Sequence, residues 1–255
     1  MKTIIRYTLI TALRDWLFLG LFIISALAIA LSMFLGSTAL VEQKQMMISY
    51  AADSTRLVMI VGLITFVCFH VRRSFENREL EVILSRPIAR HHFVFAYWCG
   101  FALLGTLVTV PLIAALWILM PVDTLGIVYW GVSIIMETAL IMAFTLLSAL
   151  ILRSAVTAVL SSMGFYILAR MMGFFTATID KPDFLVHDFD FNSIMEFMLR
   201  VVSIVFPRLD LFGKSTWLVY GVKTPHDMWI FPAQSLVYIP LLLLVAVIDF
   251  RRKQF

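Results

Sequence analysis

Residues Arg72–His92 read RRSFENRELEVILSRPIARHH, and the architecture of the whole chain turns on them. Five arginines (Arg72, Arg73, Arg78, Arg86, Arg90) and three glutamates (Glu76, Glu79, Glu81) fall in this one stretch. The apolar run Leu57–Val71 ends immediately before it and the run Phe93–Leu119 begins immediately after. Charge at this density is not tolerated in hydrocarbon, so the segment belongs in water at a membrane face. The arginine excess assigns that face to the cytoplasm. Arg72/Glu76 and Glu79/Ile83/Arg86 have helical spacing, and Pro87 disfavours a helical Arg86, which predicts a short helix over ~72–85. Two roles fit such a helix: a solvated loop that anchors topology, or a docking element for a cytoplasmic partner.

Working outward, the 255 residues are 62% hydrophobic and only 14% charged, with a mean hydropathy of +0.96. A soluble domain is about half apolar and a quarter charged, so these values point to an integral membrane protein. Apolar runs near twenty residues long argue for helices rather than a barrel. The net charge of +4 comes from loops on one side of a bilayer, and no nucleic-acid partner is expected. Cys68 and Cys99 lie within apolar runs without ligand spacing, so neither a disulfide nor a metal site is expected.

Residues 2–16 set Ile5, Leu9, Ala12, Leu13 and Trp16 on one stripe against Lys2, Arg6 and Arg14, the pattern of a helix lying in the interface. Ala26-Leu27-Ala28 has the form of a signal-cleavage site, but the apolar run continues to Leu35 and cleavage is not expected. Span 1 is predicted over ~16–35, and Gly36–Ser54 as an external connection. Span 2 (~56–71) reads as short, ending at His70 near the inner surface. Span 3 (~93–119) holds Pro111, which predicts a kink. A turn at Met120–Gly126 leads to span 4 (~127–152), and Arg153-Ser154 is a very short internal turn before span 5 (~155–175). From Thr176 to Trp229 the character changes. Ile194–Phe206 is apolar but only about thirteen residues long, too short to cross ~30 Å, so it is interfacial or re-entrant. Span 6 is ~230–249, stopped by Arg251-Arg252-Lys253. The positive-inside rule then puts both termini in the cytoplasm, with Lys44 and Arg56 on the first external loop.

Glu137 lies well inside span 4, where an acid is functional by default. Arg170 in span 5 sits at the same depth across the two-residue turn, so a structural Glu137–Arg170 pair is the favoured reading, with a substrate or proton role as the other. Gly213-Lys214-Ser215 imitates the end of a phosphate loop, but position 208 is Arg where the motif needs Gly, and no strand precedes it. No Ser-His-Asp set, carboxylate pair or metal motif is present in the sequence, so no catalytic activity is expected of this chain.

The segment Glu79-Leu80-Glu81-Val82-Ile83-Leu84-Ser85-Arg86-Pro87-Ile88-Ala89-Arg90 resembles the E-x-x-x-L-L-S-x-P-[IV]-[SA]-R segment between spans 2 and 3 of ABC-2 type (type V exporter-like) ABC transporter permeases. Phe206-Pro207-Arg208-Leu209-Asp210-Leu211-Phe212, with Trp217 and Tyr220, is similar to that family's segment before the last span. One departure is that Leu80 follows Glu79 directly, where many relatives have Gly-Thr. The resemblance implies an all-α membrane domain over residues 1–255, in the plasma or inner membrane. It would have six transmembrane helices, an N-terminal interfacial helix, a cytoplasmic coupling helix at ~72–86 and re-entrant or interfacial helices before span 6.

It further implies a homodimer, or a heterodimer with a similar permease, docked on two cytoplasmic ATPase subunits. ATP and Mg would be bound there and no cofactor by this chain. Glu79, Leu80, Ile83, Leu84, Arg86 and Pro87 would form the docking surface. Export of an apolar or amphipathic substrate would run along a dimer interface lined by spans 1, 2 and 5. Met163, Phe165, Met171, Met172, Phe174 and Phe175 of span 5 suit such a cargo, and ordinary lipid-facing packing has the same appearance. A non-transporting membrane scaffold that binds a cytoplasmic partner is the alternative; a secondary carrier ranks third, with one intramembrane acid and no inverted repeat.

Overall fold

A computed structural model describes residues 2–38, 42–77, 90–179, 197–198, 201, 206–222 and 227–252. Its helices are α1 (Lys2–Leu13), α2 (Trp16–Thr38), α3 (Gln43–Glu76), α4 (Arg90–Leu119), α5 (Thr124–Ile151), α6 (Ala155–Ile179), α7 (Thr216–Tyr220) and α8 (Asp227–Arg252), with a 3-10 turn at Leu209–Leu211. No strand occurs among the described residues. Six helices, α2 to α6 and α8, are long and apolar enough to cross a bilayer. Such a segment satisfies every backbone group internally, which is why runs of this composition become helices and not sheets in lipid. The molecule is thus a multi-pass helical membrane protein.

The bundle has a centre. The most apolar windows of α3 and α5 are 61% and 72% buried, against 28–33% for the other four spans. Around this pair, α2 lies along α3, while α4, α6 and α8 pack on α5. Small residues set the closest approaches, as is usual where helices meet in lipid. A Cβ added to Gly36 would come within 2.5 Å of the Met47 Cβ, and one on Gly105 within 2.6 Å of Thr138 Cγ2. Asp123 starts α5: its carboxylate accepts the Gly126 N–H at 2.7 Å, and its own N–H donates to the Leu218 carbonyl at 3.0 Å. The segment before α8 is thereby bolted to the turn between α4 and α5.

Two boundary expectations are corrected. The Gly36–Ser54 connection shrinks, because α3 already begins at Gln43 and Ala51 and Ala52 are fully buried. Its 34 residues at ~1.5 Å each give about 51 Å, well beyond the ~30 Å hydrocarbon slab. Helical burial continues through polar sequence here, since Ile48, Ala52 and Thr55 extend the inward stripe that Met59 and Leu63 carry on. At the other end, Arg72–Glu76 belong to α3, which stops at Asn77, so a separate helix does not begin at residue 72. The spacing of Arg72 and Glu76 does produce an ion pair, at 2.9 Å. Glu79, Leu80, Ile83, Leu84, Arg86 and Pro87 lie outside the described residues, as does most of the Ile194–Phe206 run. Helix α4 runs on through Pro111, and Arg153-Ser154 forms the short turn expected between α5 and α6.

Candidate functional site: a buried charge cluster holding the segment before the last span

Three helices each contribute a charged or hydroxyl side chain to one point in the bundle. Arg56 on α3 is 4% exposed and Glu137 on α5 is 0% exposed. They meet at 3.9 Å between Arg56 Nη1 and Glu137 Oε2. One turn before Glu137, Ser133 faces the same way and is also fully buried. On α6, Tyr166 and Arg170 are a turn apart, with Tyr166 beside the Arg56 guanidinium and Arg170 within electrostatic reach of Glu137. Asp53, three residues before Arg56, approaches its Nη2 at 3.7 Å from the half-exposed edge of the cluster.

What the arginines chiefly hold is backbone. Arg56 Nη1 donates to the Gly213 carbonyl at 2.8 Å and to that of Phe212 at 3.3 Å. Arg170 Nη1 donates to the carbonyls of Leu209 at 2.6 Å and Phe212 at 2.9 Å. The Gly213 N–H is accepted by Ser133 Oγ at 2.8 Å. Residues 209–213 thus have carbonyls that no long helix satisfies, and two guanidinium groups replace the missing intrahelical donors. Charged donors to carbonyls are among the stronger hydrogen bonds, and a buried carbonyl without a partner is costly. Ser133 lies nine residues into α5, so by the ~1.5 Å rise this segment packs about 14 Å along the helix from its start.

Gly213 is required here twice over. Its φ of +56° is in the left-handed region, and an added Cβ would collide with Arg56 Nη1. Aromatic contacts tie the start of this segment to α5 and α6: Phe165 on α6 stacks on Phe144 of α5 at 3.8 Å and touches Phe206 at 5.5 Å. Of the span-5 residues singled out by sequence, Phe165 and the buried Met172 therefore serve packing, while Met171 and Phe174 stay exposed. Both Glu137 oxygens lack a hydrogen-bond partner among the described residues. Among the described residues, Arg56 is the cation at ion-pair distance from Glu137.

The expected Glu137–Arg170 pair is replaced by Glu137–Arg56. Arg170 does reach the same cluster, as its depth required, but its hydrogen bonds go to the Leu209 and Phe212 carbonyls. Sequence reading assigned Arg56 to an external loop and missed Ser133 and Tyr166. A signal for Arg56 exists: extended back by two turns, the stripe Leu63–Met59 passes through positions 56 and 52. Among the described residues no group of three or more His, Cys, Asp or Glu is gathered as metal ligands.

Fold and site together define a multi-pass helical membrane protein whose last described span is preceded by an arginine-bound segment built on a 3-10 turn. Comparison of the chain with protein-family models and with curated proteins gave no match.

Proposed function

We propose that the chain is the membrane-spanning subunit of an ABC-2-type transporter, an exporter of an apolar or amphipathic substrate driven by separate cytoplasmic ATPase subunits. The observation that carries this reading is the Phe206–Phe212 segment, which has the family-like sequence and is held inside a six-span bundle by Arg56 and Arg170. It has the character of a re-entrant element before span 6. The likeness of residues Glu79–Arg90 to the family's coupling segment adds the docking function. In this reading the chain dimerises, nucleotide-driven closure of the ATPases moves the coupling segment, and α3 conducts that motion to the cluster, because the helix that carries Arg56 ends at Asn77, just before that segment in the sequence. Arg73 near its tip and Arg56 in its middle are seventeen residues apart, about 26 Å at ~1.5 Å per residue. A rigid element of this kind transmits small rigid-body movements.

The test is a pull-down from native membranes in mild detergent with the tagged full chain. A P-loop ATPase is expected at an equal subunit ratio, and Leu84→Asp, with Ile83→Asp close behind, should release it while leaving the membrane protein folded and monodisperse. Undiminished ATPase with Leu84→Asp removes the docking role of that segment. Recovery of a non-ATPase cytoplasmic partner instead favours the scaffold reading.

A further inference from the structure

At the arginine-rich end of the bundle, a cavity of about 670 Å³ lies between the start of α2, the end of α3 and the turn from α5 to α6. That volume falls within the usual range for small-molecule sites, roughly 300–1,000 Å³. Its walls join two kinds of surface. Leu17, Phe66, Phe69 and Val156 supply an apolar side, and Arg72, Arg73 and Arg153 supply cations. The two carboxylates in the wall are already engaged. Glu76 pairs with Arg72 at 2.9 Å, and Asp15 Oδ1 accepts the Leu17 N–H at 3.1 Å at the start of α2. Arg73 and Arg153 make no ion pair among the described residues, so the cavity presents two uncommitted guanidinium groups beside apolar walls.

We propose that this cavity binds the phosphate headgroup of an anionic glycerophospholipid from the adjoining leaflet, with Arg73 and Arg153 on the phosphate and the acyl chains along Leu17 and the outer face of α2. Basic pockets between transmembrane helices at the positive end of a protein are suited to such headgroups, and guanidinium meets phosphate oxygens with two parallel donors. Three features favour a lipid over a free phosphate compound. The apolar wall continues from Leu17 onto exposed Ile24 and Leu31 on the same face of α2, Trp16 is 83% exposed at the same level, and Phe69 is half exposed at the cavity rim. Tryptophan and arginine together at one depth mark the headgroup level of a bilayer. The inference rests on no part of the transporter reading, because a scaffold would carry the site equally well.

Native mass spectrometry of the full chain, released from mixed micelles of phosphatidylcholine and phosphatidylglycerol, tests it. The wild type is expected to retain phosphatidylglycerol in preference to phosphatidylcholine. The Arg73→Gln/Arg153→Gln protein should lose roughly twenty-five-fold of that preference, each near-surface arginine contributing about fivefold. Arg73→Lys/Arg153→Lys should keep most of it. Arg6→Gln/Arg252→Gln removes the same charge elsewhere and should keep it fully. Should the double Gln variant misfold, Arg153→Gln alone, on the exposed turn, is expected to lose about fivefold. No phosphatidylglycerol preference in the wild type, or an equal loss in the Arg6/Arg252 control, overturns the site. Displacement of the lipid by an equal concentration of glycerol phosphate or inorganic phosphate would overturn its assignment to lipid.

Discussion

Replacing Arg56 by methionine would take a guanidinium from Glu137 and from two carbonyls at once. A buried ion left without its partner costs about 3–5 kcal/mol, whereas an apolar pair of similar volume is often neutral. Arg56→Met and Glu137→Gln are therefore each expected to lower the unfolding midpoint in SDS-mixed micelles, and the double variant to recover much of the loss. A double-mutant cycle supplies the ranking: Glu137 should couple more strongly to Arg56 than to Arg170, and the reverse order would reinstate the pair suggested by depth alone. Gly213→Ala probes the same cluster from the backbone. Left-handed φ costs an alanine about 1–2 kcal/mol, and the methyl group also meets Arg56 Nη1. A midpoint unchanged by Gly213→Ala would contradict the close approach.

At the scale of elements, α3 differs most from its sequence profile. Its outer turns carry Gln43, Lys44, Gln45 and Asp53, so a hydropathy window ends the span too early. Burial of Ile48, Ala51 and Ala52 shows that the inward stripe continues beyond the apolar run. Helical amides packed in this way exchange slowly, while those of a surface loop exchange fast. Hydrogen exchange in micelles should accordingly find Met47–Thr55 protected to the same order as Met59–Val67. Rapid exchange over Met47–Thr55 would restore the external connection. The same helix ends at Asn77 with its N–H donated to the Arg73 carbonyl at 2.9 Å, which fixes where the charged stretch leaves the bundle.

For the whole molecule, the quantity to measure is sidedness. Six spans would put Asn77 and the end of α8 on one side of the bilayer and the end of α6 at Ile179 on the other. The arginine count predicts that the first side is cytoplasmic. Single cysteines at Asn77 and in the C-terminal tail are expected to react with an impermeant thiol reagent only from the cytoplasmic side. One at Asp183 should react only from outside. Equal accessibility of Asn77 and Asp183 would exclude an arrangement of six spans.

Local composition alone was enough to count the spans, because the free energy of a residue in hydrocarbon depends mostly on its own side chain and adds along the run. It was also enough to put Glu137 and Arg170 at one depth, since a two-residue turn leaves their helices little freedom to slide. The partner of Glu137 was not legible in this way. Arg56 reaches Gly213 across 157 residues of chain, and whether it can do so depends on the rotation of α3 against α5 and on where the Leu209–Gly213 backbone enters the bundle. Those are properties of packed helices and not of any window of sequence. The sequence therefore determined that a charge would be buried and at what level; the tertiary structure decided which guanidinium balances it and which carbonyls share the task.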